Sequence, residues 1–251
     1  MKFFRIFKNK DFINLKTLRE ELSKQSLDLS VELIRNMSSH LYAKQKNVSK
    51  DTLFVAIRQK NGVGRLNRRF ISNKGGCYFS LALADKKENA LAAVPVISVA
   101  IATVLSGYME GVSVKWPNDI LVKGKKICGI LCSSCVHKTV ISAGINLWND
   151  ISALGDSATS FYAQGAHKGV TRASLIARII SEYYKLSTVD FEIVRKEYDR
   201  LLNIVGKKVT VSRKNGVVEG RVKGLDKNGF LILQSALGQE YTIAEGDVTV
   251  N

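Results

Sequence analysis

A chain of 251 residues is long enough to bury one substantial core and still carry a small second domain. With 45% hydrophobic and 24% charged residues, it has the make-up of an ordered globular protein, which excludes an intrinsically disordered chain. The formal charge of +16 favours anionic partners, but the cations are dense only around 2–10 and 65–69. Elsewhere they are scattered like a solvated surface, so DNA is not expected as a partner.

The opening Met1-Lys2-Phe3-Phe4-Arg5-Ile6-Phe7 turns polar too soon for a secretory segment, and the pattern predicts a first strand over 3–7. Helical periodicity follows over 15–25. It recurs over 29–44, where Val31, Leu33, Ile34, Met37 and Leu41 predict a second helix. Residues 52–58 read as a buried strand. The polar stretch 59–76, with four glycines and three arginines, is a long loop of the kind that carries function. A strand over 77–84 leads into the uncharged stretch 90–109, which is long enough to cross a bilayer. Pro95, several small residues and the lack of a second such segment fit a helix buried in a core instead, so no membrane association is expected.

Strands over 112–116, 120–122, 127–133 and 139–145 follow closely, with Lys123-Gly124-Lys125 as a hairpin turn. Helices are expected over 169–186 and 191–202. Beyond Val205 come about five short strands, punctuated by Asn215-Gly216, Asn228-Gly229 and Gly238-Gln239, which read as a small barrel-like β domain. The expected division is 1–203 and 204–251.

The four cysteines, Cys77, Cys128, Cys132 and Cys135, hold one C-x-x-C spacing with no second pair. His40, His137 and His167 are not spaced to complete a zinc site, so no set of metal-ligating side chains is expected. Reduced cysteines on buried strands suit a cytoplasmic protein.

Four segments carry chemistry. The loop from Gln59 through Gly62, Gly64 and Arg65 to Arg69 mixes glycines that let backbone approach phosphate with forked cations. A plain basic surface loop would look the same. Lys115-Trp116-Pro117-Asn118-Asp119 brings a cation, an aromatic, a rigid turn, an amide and a carboxylate together at a strand end. It is equally good turn chemistry. Lys126 opens an apolar strand in which Gly129 removes a side chain, a mark of close ligand approach. Ser142-Ala143-Gly144-Ile145-Asn146 ends another strand with small residues and an amide.

In this order, with Lys115-Trp116-Pro117-Asn118-Asp119 the most specific, the segments resemble the biotin protein ligase family. Lys74-Gly75-Gly76-Cys77-Tyr78-Phe79-Ser80, Ala158-Thr159-Ser160 and Gly246-Asp247-Val248 resemble further parts of it, from about Leu27 to the end. The resemblance implies an α+β fold: a class II synthetase-like mixed sheet flanked by helices, plus a small C-terminal SH3-like β-barrel. The residues before Leu27 leave no room for the family's winged-helix domain, so the short, non-repressor form is expected.

The implied activity is ATP-dependent: biotin is converted to biotinyl-5′-AMP, then transferred to a lysine of a biotin carboxyl carrier domain. ATP with Mg2+ is the expected co-substrate, and a homodimer is compatible with such folds. Arg65, Lys115 and Lys126 match the family's catalytic cations. Gln59, Gly62, Lys126, Gly129, Leu131 and Gly144 match biotin-pocket positions. Arg65, Lys115, Asn118, Asp119 and Asn146 match positions near ATP and its magnesium. The family's Asp-Ser-Thr-Asn segment, whose hydroxyls bind the ureido ring, aligns with Asp28-Leu29-Ser30-Val31, leaving Ser30 as the binding residue.

Several positions depart from the pattern. Val63 stands for an arginine, Asn67 for a glycine, Phe70 for a tryptophan and Ser133 for a glutamate. These changes, with Leu29, keep a lipoate- or octanoate-type ligase open, and also a catalytically weakened adenylate-binding relative.

Overall fold

Alternation along the strands places two apolar faces on one sheet, and helices cover both. The computed structural model describes residues 13–84, 90–166 and 169–251. The strand expected over 3–7, and His167, lie outside them.

The first half of the chain runs α1 (Leu15–Lys24), β1 (Ser30–Ile34), α2 (Ser39–Gln45), β2 (Thr52–Ala56), β3 (Cys77–Ala84) and α3 (Ala90–Ser106). It continues with β4 (Val112–Lys115), β5 (Asp119–Val122), β6 (Lys125–Cys135), β7 (Lys138–Ile145), α4 (Arg172–Ser187) and α5 (Phe191–Leu202). The seven strands form one sheet in the order β1-β2-β3-β7-β6-β5-β4. Only β1 and β2 are parallel, because α2 crosses between them; every other pair is antiparallel. The β5–β6 turn puts Lys123 and Gly124 at φ 50° and 78°, the left-handed pair that a tight two-residue hairpin requires.

The helix expected over 29–44 is not formed as one piece. Residues 30–34 pair with β2 in register from Ser30 opposite Thr52 to Ile34 opposite Ala56. Val31 and Leu33 turn to the larger core while Ile34 turns to the smaller one, which is a period of two. The chain breaks where Asn36 adopts φ 62°, and the Ser38 hydroxyl caps α2 by accepting from the Leu41 N–H at 3.4 Å. Met37 and Leu41, which completed the helical pattern, are exposed.

The larger core lies between the sheet and α1, α3, α4 and α5. Leu53, Val55, Phe79, Leu81, Leu83, Ile141 and Ile145 point into it, and Ile97, Ile101 and Leu105 of α3 meet them. The uncharged stretch expected to be helical over 90–109 is the 17-residue α3, and no helix among the described residues is long and apolar enough to cross a membrane. On the opposite face α2 covers Phe54, Ala56, Tyr78, Ala82 and Val140, and leaves the β6–β7 end of that face open.

α5 ends at Asn203, whose φ of 51° turns the chain into the second unit. β8 (Lys208–Arg213), β9 (Gly216–Leu225), β10 (Leu231–Gln234), β11 (Glu240–Ile243) and β12 (Asp247–Val250) form an antiparallel sheet ordered β11-β10-β9-β8-β12. Its buried Val209, Val211, Val222, Leu231 and Leu233 are continuous with the larger core.

Candidate functional site

The open part of the α2 face is built from small residues. Gly129 of β6 lies opposite Gly144 of β7, and Leu131 opposite Ser142. Ser80 of β3 is the next partner of Ser142. With no side chains at the two glycines, the strands form a trough floor, and the N-terminus of α2 brings Ser38, Ser39 and His40 to its rim.

The loop 59–76 folds back over this trough. Gly62 O accepts from the Phe70 N–H at 2.8 Å, and Arg68 O from the Gly64 N–H at 2.8 Å. At the tip a short 3-10 turn, Arg65–Asn67, holds Leu66 and Asn67 at φ 54° and 57°. Asparagine tolerates that left-handed geometry, so Asn67 can replace the glycine the family pattern expects. The Phe70 ring lies over both trough glycines: a Cβ on Gly144 would sit 2.4 Å from its Cε1, and one on Gly129 3.0 Å from its Cε2.

Phe70 separates two cavities of similar size. One, of about 220 Å³, is lined by Ser39, His40, Gln59, Arg65, Asp119 and Ser142 among others. The other, of about 210 Å³, is lined by Ile71, Asn146, Leu154, Ser157 and Ala158. Lys126 and Gly129 line both. Lys126 is held at the junction because its N–H donates to Ser157 O and its carbonyl accepts from the Thr159 N–H, each at 2.8 Å.

The two cations from separate segments grip adjacent residues of one turn. The Lys126 Nζ lies 2.7 Å from the Asp119 Oδ1. The Arg65 Nη1 donates to the Asn118 Oδ1 at 3.3 Å, and Asn118 is fixed by its own amide donating to Ile130 O at 2.8 Å. Burial lowers the pKa of the Arg65 guanidinium, while Asp247, Asp119 and Glu245 act in the opposite direction. The turn that carries Asn118 is closed from behind: the peptide Trp116–Pro117 is cis, and the buried Trp116 indole donates to Gly229 O in the second unit at 3.3 Å.

A polar chain runs beneath the first cavity. Gln59 accepts from the Ser39 N–H at 2.7 Å and donates to the Ser72 Oγ at 2.8 Å. Ser39 and Ser80 are 2.9 Å apart at their hydroxyls, Ser80 and Ser142 2.7 Å. The His40 ring sits 2.8 Å from Ser142 through Nδ1 and 3.0 Å from Ser133 through Nε2. Burial, helped by Lys44, lowers the His40 pKa to about 4, so the ring is neutral.

Most of the site residues read from the sequence are brought together here. Gln59, Arg65, Asn118, Asp119, Lys126, Gly129, Leu131 and Gly144 line the first cavity, and Asn146 the second. Gly62 stands behind the lining, where a Cβ would lie 2.3 Å from Phe70 O and 2.6 Å from Ser72 Oγ; its missing side chain lets Gln59 and Ser72 meet. Two more of the expected residues lie outside both cavities. Lys115 is exposed on the edge strand β4 and lines neither cavity. Ser30 also lines neither, because it pairs with Thr52 within the sheet, and Leu29 packs against the larger core.

Besides Ser142, the hydroxyls at the cavity belong to Ser38 and Ser39, which a helical reading of 29–44 conceals. The signal for them was local: Asn36-Met37-Ser38-Ser39 is turn and helix-cap chemistry following an alternating run. Of the four cysteines only Cys128 lines a cavity, the second. Cys77 and Cys128 are buried and in no disulfide, and burial pushes the Cys132 pKa up to about 12.

Comparison with known proteins gives a consistent result. Residues 33–149 match the family model described as the biotin/lipoate A/B protein ligase family, and 204–250 match the biotin protein ligase C-terminal domain. The bifunctional ligase/repressor BirA of Bacillus subtilis is 31% identical over 211 residues, covering 76% of this chain and 64% of that protein. The chain thus spans a little under two thirds of that relative's length. The biotin–[acetyl-CoA-carboxylase] ligase of Paracoccus denitrificans is 26% identical over 205 residues, 74% of this chain and 85% of the relative. A solved structure of Aquifex aeolicus biotin protein ligase with biotin and ATP superimposes with a TM-score of 0.76 at 27% identity, covering 88% of this chain and 98% of that one.

Proposed function

We propose that this chain, which belongs to the biotin protein ligase family, activates biotin with ATP and transfers the biotinyl group to a lysine of a carboxyl carrier domain. The observation that carries the reading is the position of Lys126, one ammonium shared by two cavities, with Arg65 entering the first from a separate segment. A small acid in the first cavity and a nucleotide base in the second would meet at that ammonium.

The charges dictate the chemistry. A biotin carboxylate oxygen attacks the α-phosphorus of ATP, the bond to the bridging oxygen breaks, and pyrophosphate leaves. Lys126 and Arg65 disperse the negative charge that grows on the phosphoryl oxygens. The carrier lysine's neutral amine then attacks the acyl carbon of the biotinyl-adenylate, AMP leaves with the bonding pair, and the nitrogen loses a proton. Phe70 and the loop above the trough exclude water, which would hydrolyse the mixed anhydride.

Magnesium would come with the nucleotide, neutralising phosphate charge. Asp119, a half-buried carboxylate, and the Asn118 amide oxygen suit an ion that binds through one or two carboxylates and keeps its waters. The described residues contain no cluster of three or more His, Cys, Asp or Glu that would cage a metal by themselves.

The apolar Leu29, which in place of a ureido partner keeps a lipoate-type or weakened ligase open, packs against the larger core, while Ser38 and Ser39 line the first cavity, which supports biotin as the acid. The deciding experiment is calorimetry with biotin, followed by biotin-dependent ATP–pyrophosphate exchange. Tight binding and exchange that requires biotin are expected. Exchange driven by lipoate or octanoate but not by biotin would overturn the reading.

A further inference from the structure

The hydrogen bonds under the first cavity have a fixed direction, which follows from counting protons. The Ser39 N–H can only donate, so the Gln59 atom 2.7 Å away is the amide oxygen. The Ser39 hydroxyl, 3.2 Å from that same oxygen, donates there too, which uses its one proton. Ser39 can then only accept from Ser80, and Ser80, its proton used, can only accept from Ser142. Ser142 must therefore accept from His40, so Nδ1 carries the proton of the neutral ring. Nε2 is left as the acceptor, and Ser133 donates to it. Ser39, Ser80, Ser142 and His40 are all buried, so no bulk water intervenes.

We propose that His40 is a positioning residue: held between Ser142 and Ser133, it donates to Ser142 and so anchors the far end of the buried hydroxyl chain, in which Ser39 and Ser142 offer the cavity lone pairs only, selecting a ligand that brings N–H donors. This rests on the proposed function, in which the ligand is biotin. A cyclic urea presents two N–H donors to such acceptors and a carbonyl to the remaining Gln59 N–H. An acyl chain or dithiolane presents none, and would leave buried oxygens unpaired.

The test uses the whole chain and four variants, with biotin, octanoate and ATP as probes. Wild type binds biotin; a wild type that does not would overturn the proposed function itself. His40→Phe keeps the ring's shape but removes both nitrogens, and should weaken biotin binding about ten-fold or more while leaving the KM for ATP within about two-fold. His40→Asn, which can still donate to Ser142, should recover most of the biotin affinity. Ser133→Ala should weaken biotin about three-fold in wild type and have no further effect in the His40→Asn background, where nothing remains for Ser133 to support. Biotin binding by a folded His40→Phe protein equal to wild type would overturn the proposal, as would equal losses for biotin and ATP. So would an undiminished Ser133→Ala effect in the double variant.

Discussion

Gly129 and Gly144 face each other across β6 and β7, and the ring of Phe70 lies over both. The trough thus exists because two opposed positions have no side chain, and the loop that carries Phe70 folds over it. Gly144→Ala would put a Cβ 2.4 Å from the Phe70 ring. A ring tip can swing aside, so stability should fall by about 1 kcal/mol or less, while biotin binding drops about ten-fold. Gly62→Ala differs, because its Cβ would meet the backbone oxygen of Phe70 at 2.3 Å and force the loop itself to move. It should cost about 1–3 kcal/mol. Thermal melts and calorimetry on both variants check this, and equal melting losses would contradict it.

Lys126 is the group with the largest expected effect on chemistry. Its side chain is 39% exposed, so truncation leaves no buried void, only an Asp119 without its cation. Lys126→Ala should remain folded and lose about 100- to 1,000-fold in adenylate formation. ATP–pyrophosphate exchange reads this directly, and near-normal exchange would remove Lys126 from its role. Lys115→Ala, on the exposed edge strand, should change the same rate by less than about three-fold.

The Arg68–Asp247 pair, 3.4 Å apart, ties the loop to the second unit. Both side chains are about two-thirds exposed, so the pair should contribute about 0–1 kcal/mol and be screened by salt. Asp247→Ala should barely change melting. It should instead let bound adenylate hydrolyse a few-fold faster without carrier, because the loop loses a tether. A stability loss above about 2 kcal/mol would mean the contact is more than a surface pair.

His40 couples stability to pH. Its folded pKa, about 4, lies below the unfolded value of 6.5, so between these the unfolded chain binds more protons. The contribution is fully present above pH 6.5 and is lost as pH falls through about 4, amounting to about 3 kcal/mol. Denaturant unfolding from pH 7 to 4 should show this loss in wild type, and His40→Asn should lack it. Parallel curves for the two proteins would place the proton elsewhere.

The sequence alone carried the order of elements wherever one neighbour decided the pattern. The strand over 139–145, the Lys123-Gly124 turn and the apolar run of α3 were legible because hairpin turns and buried apolar runs are written locally. Residues 29–44 were not, because Val31, Leu33 and Ile34 satisfy both a period of two and a period near four. Parallel pairing with β2, contributed by residues farther along the chain, settled that ambiguity in favour of a strand.

The same holds for the site. Arg65, Lys126, Asn118 and Asp119 are picked out only because the order of their segments resembles the family, since the glycine loop and the Pro-Asn-Asp turn by themselves read equally well as a surface loop and a plain turn. That Arg65 meets Asn118, that Phe70 lies on two glycines from different strands, and that His40 is fixed by Ser133 and Ser142 were decided only by the fold. The last two are separated from His40 by 93 and 102 positions. Contacts across such distances are set by strand order and register, which no local pattern records, so the sequence determined which groups were available and the packed sheet determined which of them meet.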